Sequence, residues 1–174
     1  MAGSLIKIAE TTISSAVSSV TLTGITDAYS VHILQYNNVQ SEIVNKYMAL
    51  RFTEDGTPNT SASYDRGGKI LKSNTSYANN YGANGTFFYT HNNLFSTDAG
   101  QANNGTIYIF NASNGAERTY MAQENVAVGA SNLSWGNQGG GVFKQNSVVD
   151  GVHFYMEDTG NMDAGHFVLF GLRK

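Results

Sequence analysis

The sequence predicts an all-β protein, a single-domain antiparallel β-sandwich that is jelly-roll-like, with about ten short strands and long loops. Two observations carry this prediction. Apolar residues alternate with polar ones in many short runs, and Gly, Asn, Asp and Ser separate these runs. No stretch has the apolar spacing of an amphipathic helix. A length of 174 residues suits one domain over 1–174. The long connections favour a sandwich with crossing strands over an up-and-down barrel.

Alternating apolar and β-branched residues predict four strands in the first third of the chain, at 5–10, 17–24, 29–39 and 48–53. The β-branched run from Thr11 to Ile13 lies between the first two and argues against a helix. The fourth strand is followed by the turn residues 54–58, which include the only proline. These four segments are expected to supply the first core strands.

Two segments are expected to be irregular. The chain from 54 to 85 is rich in Thr, Ser, Asn, Tyr and Gly, which predicts a long loop region. Residues 1–7 are expected to form an N-terminal arm. Irregular segments adapt readily to the surface of a partner. Both are therefore predicted to be contact segments.

The second half of the chain is predicted to contain strands at 86–90, 106–110 and 120–128, with a two-residue hairpin turn at Asn114-Gly115. The segment 138–143 is expected to break and restart the chain, with its glycines in a tight turn or bulge. A closing hairpin is predicted at 152–172, with its turn at 157–165. The last strand, 167–172, is apolar on both faces, so we expect it to be covered on both sides. Such a strand belongs in the middle of a sheet or against another subunit.

The composition limits the partners. Only 13% of the residues are charged, the formal net charge is −3 and no basic cluster is present, so nucleic acid is not expected as a partner. There is no cysteine, which excludes disulfides and thiolate chemistry. The N-terminus lacks the pattern of a secretory signal and no window approaches a membrane span. We therefore expect a soluble protein made in the cytoplasm, with no membrane partner.

No catalytic or cofactor motif is recognised. The sequence has no Gly-x-Ser-x-Gly elbow, and Gly139 to Gly141 lack the Lys-Ser/Thr of a phosphate loop. His153 and His166 would face each other on the closing hairpin, but cross-strand histidines without a nearby carboxylate are rarely metal ligands. An oxygen-rich cluster suggests weak calcium candidates, but it lacks the spacing of the twelve-residue calcium loop and ordinary turn chemistry is the favoured explanation: Glu157, Asp158, Asn161 and Asp163. The prediction is a non-enzymatic protein with no cofactor.

Aromatic residues provide two kinds of candidate site. Trp135 lies among amides and hydroxyls and could stack on a sugar, with Tyr77 and Tyr81 as further glycan contacts. The favoured interpretation of Trp135 is nonetheless a loop residue anchored in the core or at a subunit contact. A second set lies opposite the residues assigned inward on its strands. These are the predicted interface residues Phe88, Tyr108, Phe110, Tyr155 and Phe170. Either they are covered by another subunit or some faces are assigned wrongly.

Several phrases of the sequence resemble small virion structural proteins of tailed bacteriophages, notably phages of marine bacteria and cyanobacteria. They are Gly3 to Ile25, Tyr36 to Gln40, Leu50 to Thr60, Asn137 to Phe143 and the closing segment 152–174. The resemblance covers nearly the whole chain but consists of strand and turn phrases without an active-site motif.

The resemblance implies a virion protein made in the host cytoplasm. It implies a capsid decoration or cement protein, or a tail-associated protein, in families whose jelly-roll subunits often form trimers. The implied partners are further copies of the chain, the major capsid protein or other virion proteins. The alternative is a tail fibre or tail-tip domain that binds host-surface glycan.

Overall fold

A computed structural model describes residues 4–91, 97, 101–129 and 132–173. It confirms the predicted fold class: the described chain is a single-domain antiparallel β-sandwich without a helix. The described residues form thirteen strands, more than the ten or so expected.

The strand bounds are β1 Leu5–Ile13, β2 Ser19–Thr23, β3 Tyr29–Ser41, β4 Met48–Glu54, β5 Thr57–Pro58, β6 Tyr64–Lys72, β7 Tyr77–Gly85, β8 Phe88–His91, β9 Asn103–Phe110, β10 Arg118–Val128, β11 Ser134–Asn146, β12 Gly151–Met156 and β13 Met162–Arg173.

The strands form two sheets. The large sheet has eight strands in the order β1-β13-β3-β9-β10-β11-β6-β7, and the small sheet has five in the order β2-β12-β4-β5, with β8 pairing β4 as well. The four strands β1-β13-β3-β9 and the facing four β2-β12-β4-β8 follow the strand order of a jelly roll. The remaining strands of the large sheet extend it beyond the small one.

The core lies between the sheets and contains two groups of aromatic side chains. Phe52, Tyr64, Phe88 and Phe143 pack together, with ring centroids 4.8 Å apart for Tyr64 and Phe143 and 5.7 Å apart for Phe52 and Phe88. The second group contains Tyr36, Phe154 and Phe167, from both sheets. Edge-to-face and tilted contacts of this kind add to the free energy of burial.

The structure corrects the closing hairpin. β12 pairs with β2 and β4 in the small sheet, whereas β13 pairs with β1 and β3 in the large one. The two strands face each other across the core, where the rings of Phe154 and Phe167 are 5.0 Å apart. Two apolar strands joined by a polar connection can pair side by side or stack in opposite sheets, and the alternation pattern is the same in both cases.

The position predicted for the last strand is confirmed, because β13 lies inside the large sheet between β1 and β3. Its inward residues Phe167 and Leu169 are fully buried. On the other face Val168 is also buried, but Phe170 is half-buried and Leu172 is exposed. The expected cover on this outer face is therefore incomplete in the single chain.

The prediction of a long loop at 54–85 is wrong. This segment contains β5 and the strand pair β6 and β7, at the edge of the large sheet. Pairing between strands uses backbone groups, so an edge pair can form with few apolar side chains. The prediction of an arm at 1–7 is also wrong for 5–7, because β1 begins at Leu5, opposite Leu172. Residues 1–3 lie outside the described residues.

The turn at Asn114-Gly115 is also different from the prediction. β9 and β10 do form an antiparallel pair, but the connection covers all of 111–117. Asn111 adopts a φ of 60°, and its carbonyl accepts a hydrogen bond from the Asn114 amide at 3.1 Å. Asn tolerates this left-handed conformation better than most residues.

Candidate interaction site on the outer face of the large sheet

The outer face of the large sheet, which points away from the small sheet, carries the candidate site. Side chains alternate between the faces along each strand, so Ile107 and Ile109 of β9 point into the core while Tyr108 and Phe110 point outward. Residues that lie directly opposite each other on neighbouring strands form transverse rows across this face.

Two neighbouring rows are largely apolar and together form what we call the apolar band. The first row runs Leu5, Leu172, Val31, Phe110, Tyr120 and Val142, each directly opposite the next. The second runs Phe170, Ile33, Tyr108 and Ala122.

The apolar band is open to solvent at several positions. Leu5, Tyr120, Tyr108 and Leu172 are 48%, 47%, 40% and 37% exposed, respectively. At one edge of the band Lys7 forms an ion pair with Glu10. A continuous apolar surface of this kind, bordered by polar residues, is typical of an interaction site.

The next row is polar and lies beside the band. It contains Gln35, Thr106, Glu124, Gln138, Lys69 and Asn79, each directly opposite the next. The amide of Gln138 donates a hydrogen bond to Glu124 Oε1 at 2.8 Å. A hollow of about 470 Å³ lies over this row on β3, β9 and β10. The outer face therefore combines an apolar half with a polar, concave one.

The structure brings together three of the five predicted interface residues. Tyr108, Phe110 and Phe170 all belong to the apolar band. Tyr155 instead lies on the small sheet, where the Arg51 guanidinium stacks over its ring at 4.6 Å. Burial raises the pKa of Tyr155 to about 12.

The assignment of Phe88 as an interface residue is wrong. Phe88 is fully buried in the core, in T-shaped contact with Tyr64. The reason is the backbone of Gly141 on β11, where an added Cβ would lie 2.5 Å from the Phe88 ring. The absence of a side chain at Gly141 leaves room for the ring. A glycine in a strand can mark a place where a large side chain packs, and this was the sequence feature that could have indicated the burial of Phe88.

The predicted glycan contacts are divided between two faces. Tyr77 and Tyr81 are 69% and 75% exposed on the outer face of β7. Trp135 lies directly opposite Lys72, on the inner side of the large sheet that it shares with the buried residue Ile70. Lys72 Nζ stacks over the indole at 4.0 Å. Trp135 therefore cannot act on one ligand together with the two tyrosines.

The weak calcium candidates do not converge. Glu157 accepts a hydrogen bond from Tyr89, and Asn161 Nδ2 donates to Glu42 at 2.8 Å. Asp158 has a φ of 72° in the connection before β13, and Asp163 is exposed on that strand. Within residues 4–91, 97, 101–129 and 132–173, no group of three acidic or histidine side chains is placed to hold a metal ion.

The two histidines of the expected hairpin also lie apart. His153 is hydrogen-bonded through Nδ1 to Thr21 Oγ1 at 2.8 Å in the small sheet. His166 is on the large sheet, with Nε2 3.7 Å from Glu10. Burial, and to a lesser extent Arg51, lowers the pKa of His153. The structure gives no support for a shared role.

A buried layer of amides was not predicted. Asn125, Asn137 and Gln123 point inward from β10 and β11. Asn125 and Asn137 donate to the carbonyl of Thr90, and Gln123 donates to that of Tyr89 at 3.1 Å. These bonds attach β8 to the large sheet through its backbone. The sequence could have indicated this layer, because the amides Gln123 and Asn125 occupy alternate, inward positions of β10.

Comparison with known proteins does not indicate a function for the chain. No protein-family model matches the chain, and no curated protein matches it in sequence. The phage virion assignment therefore stays a prediction. Across the described ranges, the chain forms no helix long and apolar enough to cross a membrane.

Proposed function

We propose that the protein is a non-enzymatic structural protein of a phage virion, a capsid decoration or cement protein that binds the shell surface as an oligomer and stabilises it. The observation that carries this proposal is the apolar band on the outer face of the large sheet. The resemblance of several sequence phrases to phage particle proteins suggests the virion as the setting, and a trimer is the favoured oligomer because subunits of those families often form trimers.

The size of the band suits a subunit contact. Its first row spans six strands, which corresponds to about 24 Å at the usual spacing between strands. Stable interfaces bury about 800 Å² on each partner and have an apolar centre with a polar rim. Phe110 and Tyr120 would form such a centre. Tyr108 would lie at its border with the polar row, and Lys7 and Glu10 would lie at its rim.

The mechanism is association without chemistry. Each copy would bury its band against a neighbouring copy or a capsid subunit, and the buried area raises the free energy required to separate them. Such a contact is repeated at every equivalent position of a shell. A modest free energy of association per copy therefore adds up to a large stabilisation of the whole particle.

Size-exclusion chromatography with light scattering, followed by co-sedimentation with capsids of the same phage that lack this protein, tests the proposal. The wild-type protein is expected to be oligomeric and to sediment with the capsids. Tyr120→Ser should abolish one or both associations while the circular dichroism spectrum stays unchanged.

Tyr77→Ser is the matched control, because Tyr77 is an exposed tyrosine on the same outer face but outside the band. It should assemble like the wild type. A wild-type protein that remains monomeric and does not sediment with capsids would contradict the proposal.

A further inference from the structure

The polar half of the outer face contains a trough that shares Tyr108 with the apolar band and otherwise lies outside it. Its larger hollow, about 470 Å³, is bordered by Gln35, Asn37, Thr106 and Glu124. A second hollow of about 190 Å³ lies over β10 and β11, beside Gln138. Tyr108 and Glu124 border both hollows, so the two hollows adjoin, and we call them together the trough; they lie over four neighbouring strands.

The larger hollow has amide and hydroxyl side chains that both donate and accept hydrogen bonds. The side chains of Gln35, Asn37 and Thr106 form no hydrogen bond with any other described residue. Amides and hydroxyls of this kind match the hydroxyl groups of a sugar, each of which also donates and accepts. No Lys or Arg is among the described residues that line the larger hollow, which disfavours a phosphate-rich ligand.

An aromatic ring lies where the two hollows meet. Tyr108 is 40% exposed there, between the polar row and the apolar band. A pyranose ring has a face of C–H groups that packs on an aromatic surface while its hydroxyls reach polar neighbours. Tyr108 and the flanking amides provide both kinds of contact.

Glu124 supplies one charged acceptor. Its Oε1 accepts from Gln138 at 2.8 Å, which orients the carboxylate. A carboxylate forms stronger hydrogen bonds with hydroxyl donors than a neutral acceptor does. Cleavage of a glycosidic bond ordinarily needs a pair of carboxyl groups, and among the described residues that line the two hollows only Glu124 has one. The trough is therefore suited to binding and not to hydrolysis.

We propose that this trough binds an uncharged polysaccharide chain that runs across the strands. Neighbouring strands are about 4.8 Å apart, a distance close to the length of one pyranose residue, so successive sugars could meet successive strands. Tyr108 would stack on one sugar, and Gln35, Thr106 and Glu124 would bind hydroxyls. This site differs from one built on Trp135, which lies on the other side of the sheet.

Affinity electrophoresis of the full chain in native gels containing dextran, laminarin, mannan or galactan tests the proposal, with isothermal titration calorimetry for the polysaccharide that retards migration most. At least one should retard the wild-type protein. Glu124→Ala and Tyr108→Ala should each weaken binding by about tenfold, the loss expected for one charged hydrogen bond or one stacked ring.

Leu71→Ala is the matched control, because Leu71 is 58% exposed on the same outer face and does not line the trough. It should bind like the wild type. Retardation by none of the four polysaccharides, or equal weakening by Leu71→Ala and Glu124→Ala, would overturn the proposal.

The Glu124→Ala variant tests saccharide binding separately from assembly. Glu124 lies outside the apolar band, so Glu124→Ala should leave the oligomeric state and capsid binding unchanged. A loss of saccharide binding with intact assembly supports the trough alone. A loss of both with Glu124→Ala would contradict the separation of the two sites.

Discussion

The two faces of the large sheet differ in a way that a single strand already shows. On β9, Ile107 and Ile109 point inward and are fully buried, whereas Tyr108 and Phe110 point outward, and Tyr108 is 40% exposed. The small sheet covers the inner face, and no described residue of the chain covers the apolar band. The inner face therefore stabilises the fold, and the outer face has apolar area left for association.

The largest effect on stability is expected at the centre of the inner face. Phe52 is fully buried and contacts the rings of Tyr64, Phe88 and Phe143. Phe52→Ala should lower the free energy of unfolding by about 3–5 kcal/mol, because it removes buried area and leaves a cavity. Urea denaturation of the monomeric fraction measures this. A loss below about 1 kcal/mol would show that the core is not where the fold is stabilised.

A smaller effect is expected in the buried amide layer. Asn125 is 7% exposed and donates to the carbonyl of Thr90, as Asn137 does at 3.3 Å. Asn125→Ala should cost about 1–3 kcal/mol, because one bond to a buried carbonyl is lost. Hydrogen exchange should speed up in β8 more than in β3. Equal acceleration in both strands would contradict the role of these amides in holding β8.

A buried histidine on the inner face predicts that the stability of the fold depends on pH. His32 is 1% exposed on β3, and burial lowers its pKa in the folded state. The unfolded chain therefore takes up a proton more readily, so stability is full above the unfolded pKa of about 6.5 and falls as the pH decreases below it. His153 acts in the same direction.

Thermal unfolding at pH 7.5 and pH 5.5 tests this dependence. The midpoint should be lower at pH 5.5, and the difference should shrink in His32→Gln. A midpoint that rises on acidification over this range would contradict the sign of the effect. NMR titration of the His32 ring protons measures its pKa directly.

The smallest effect on stability is expected on the outer face. Tyr120 is 47% exposed in the apolar band, so Tyr120→Ser should change the free energy of unfolding of the monomer by less than about 1 kcal/mol. The same variant should lose association, as proposed above. A destabilisation similar to that of Phe52→Ala would remove the distinction between the two faces.

Part of the fold could be predicted from the pattern of residues. Alternation in 29–39, 48–53, 106–110 and 120–128 placed strands within β3, β4, β9 and β10. It did not predict β6 and β7, whose edge position requires few apolar residues. Alternation also assigned Phe88 to the wrong face of its strand. Phe87 and Phe88 are both aromatic, so the pattern does not show which of the two points into the core.

The candidate site was predicted only in part, for a related reason. Tyr108, Phe110 and Phe170 were recognised as surplus apolar residues, but their partners in the band, such as Tyr120 and Val142, were not. These residues become neighbours only when β13, β3, β9, β10 and β11 pair in register. The trough depends on the same register, since Gln35 and Gln138 come from strands distant in the chain.

The sequence by itself determined the all-β class, the single domain, most strand positions and the excess of apolar residues on some strands, because side-chain alternation is a local property of an extended chain. Only the tertiary structure decided which sheet each strand joins, and so whether β12 and β13 pair or stack, which aromatic rings are buried and which form the band. Those outcomes depend on packing between residues far apart in the chain, and a local pattern does not contain that information.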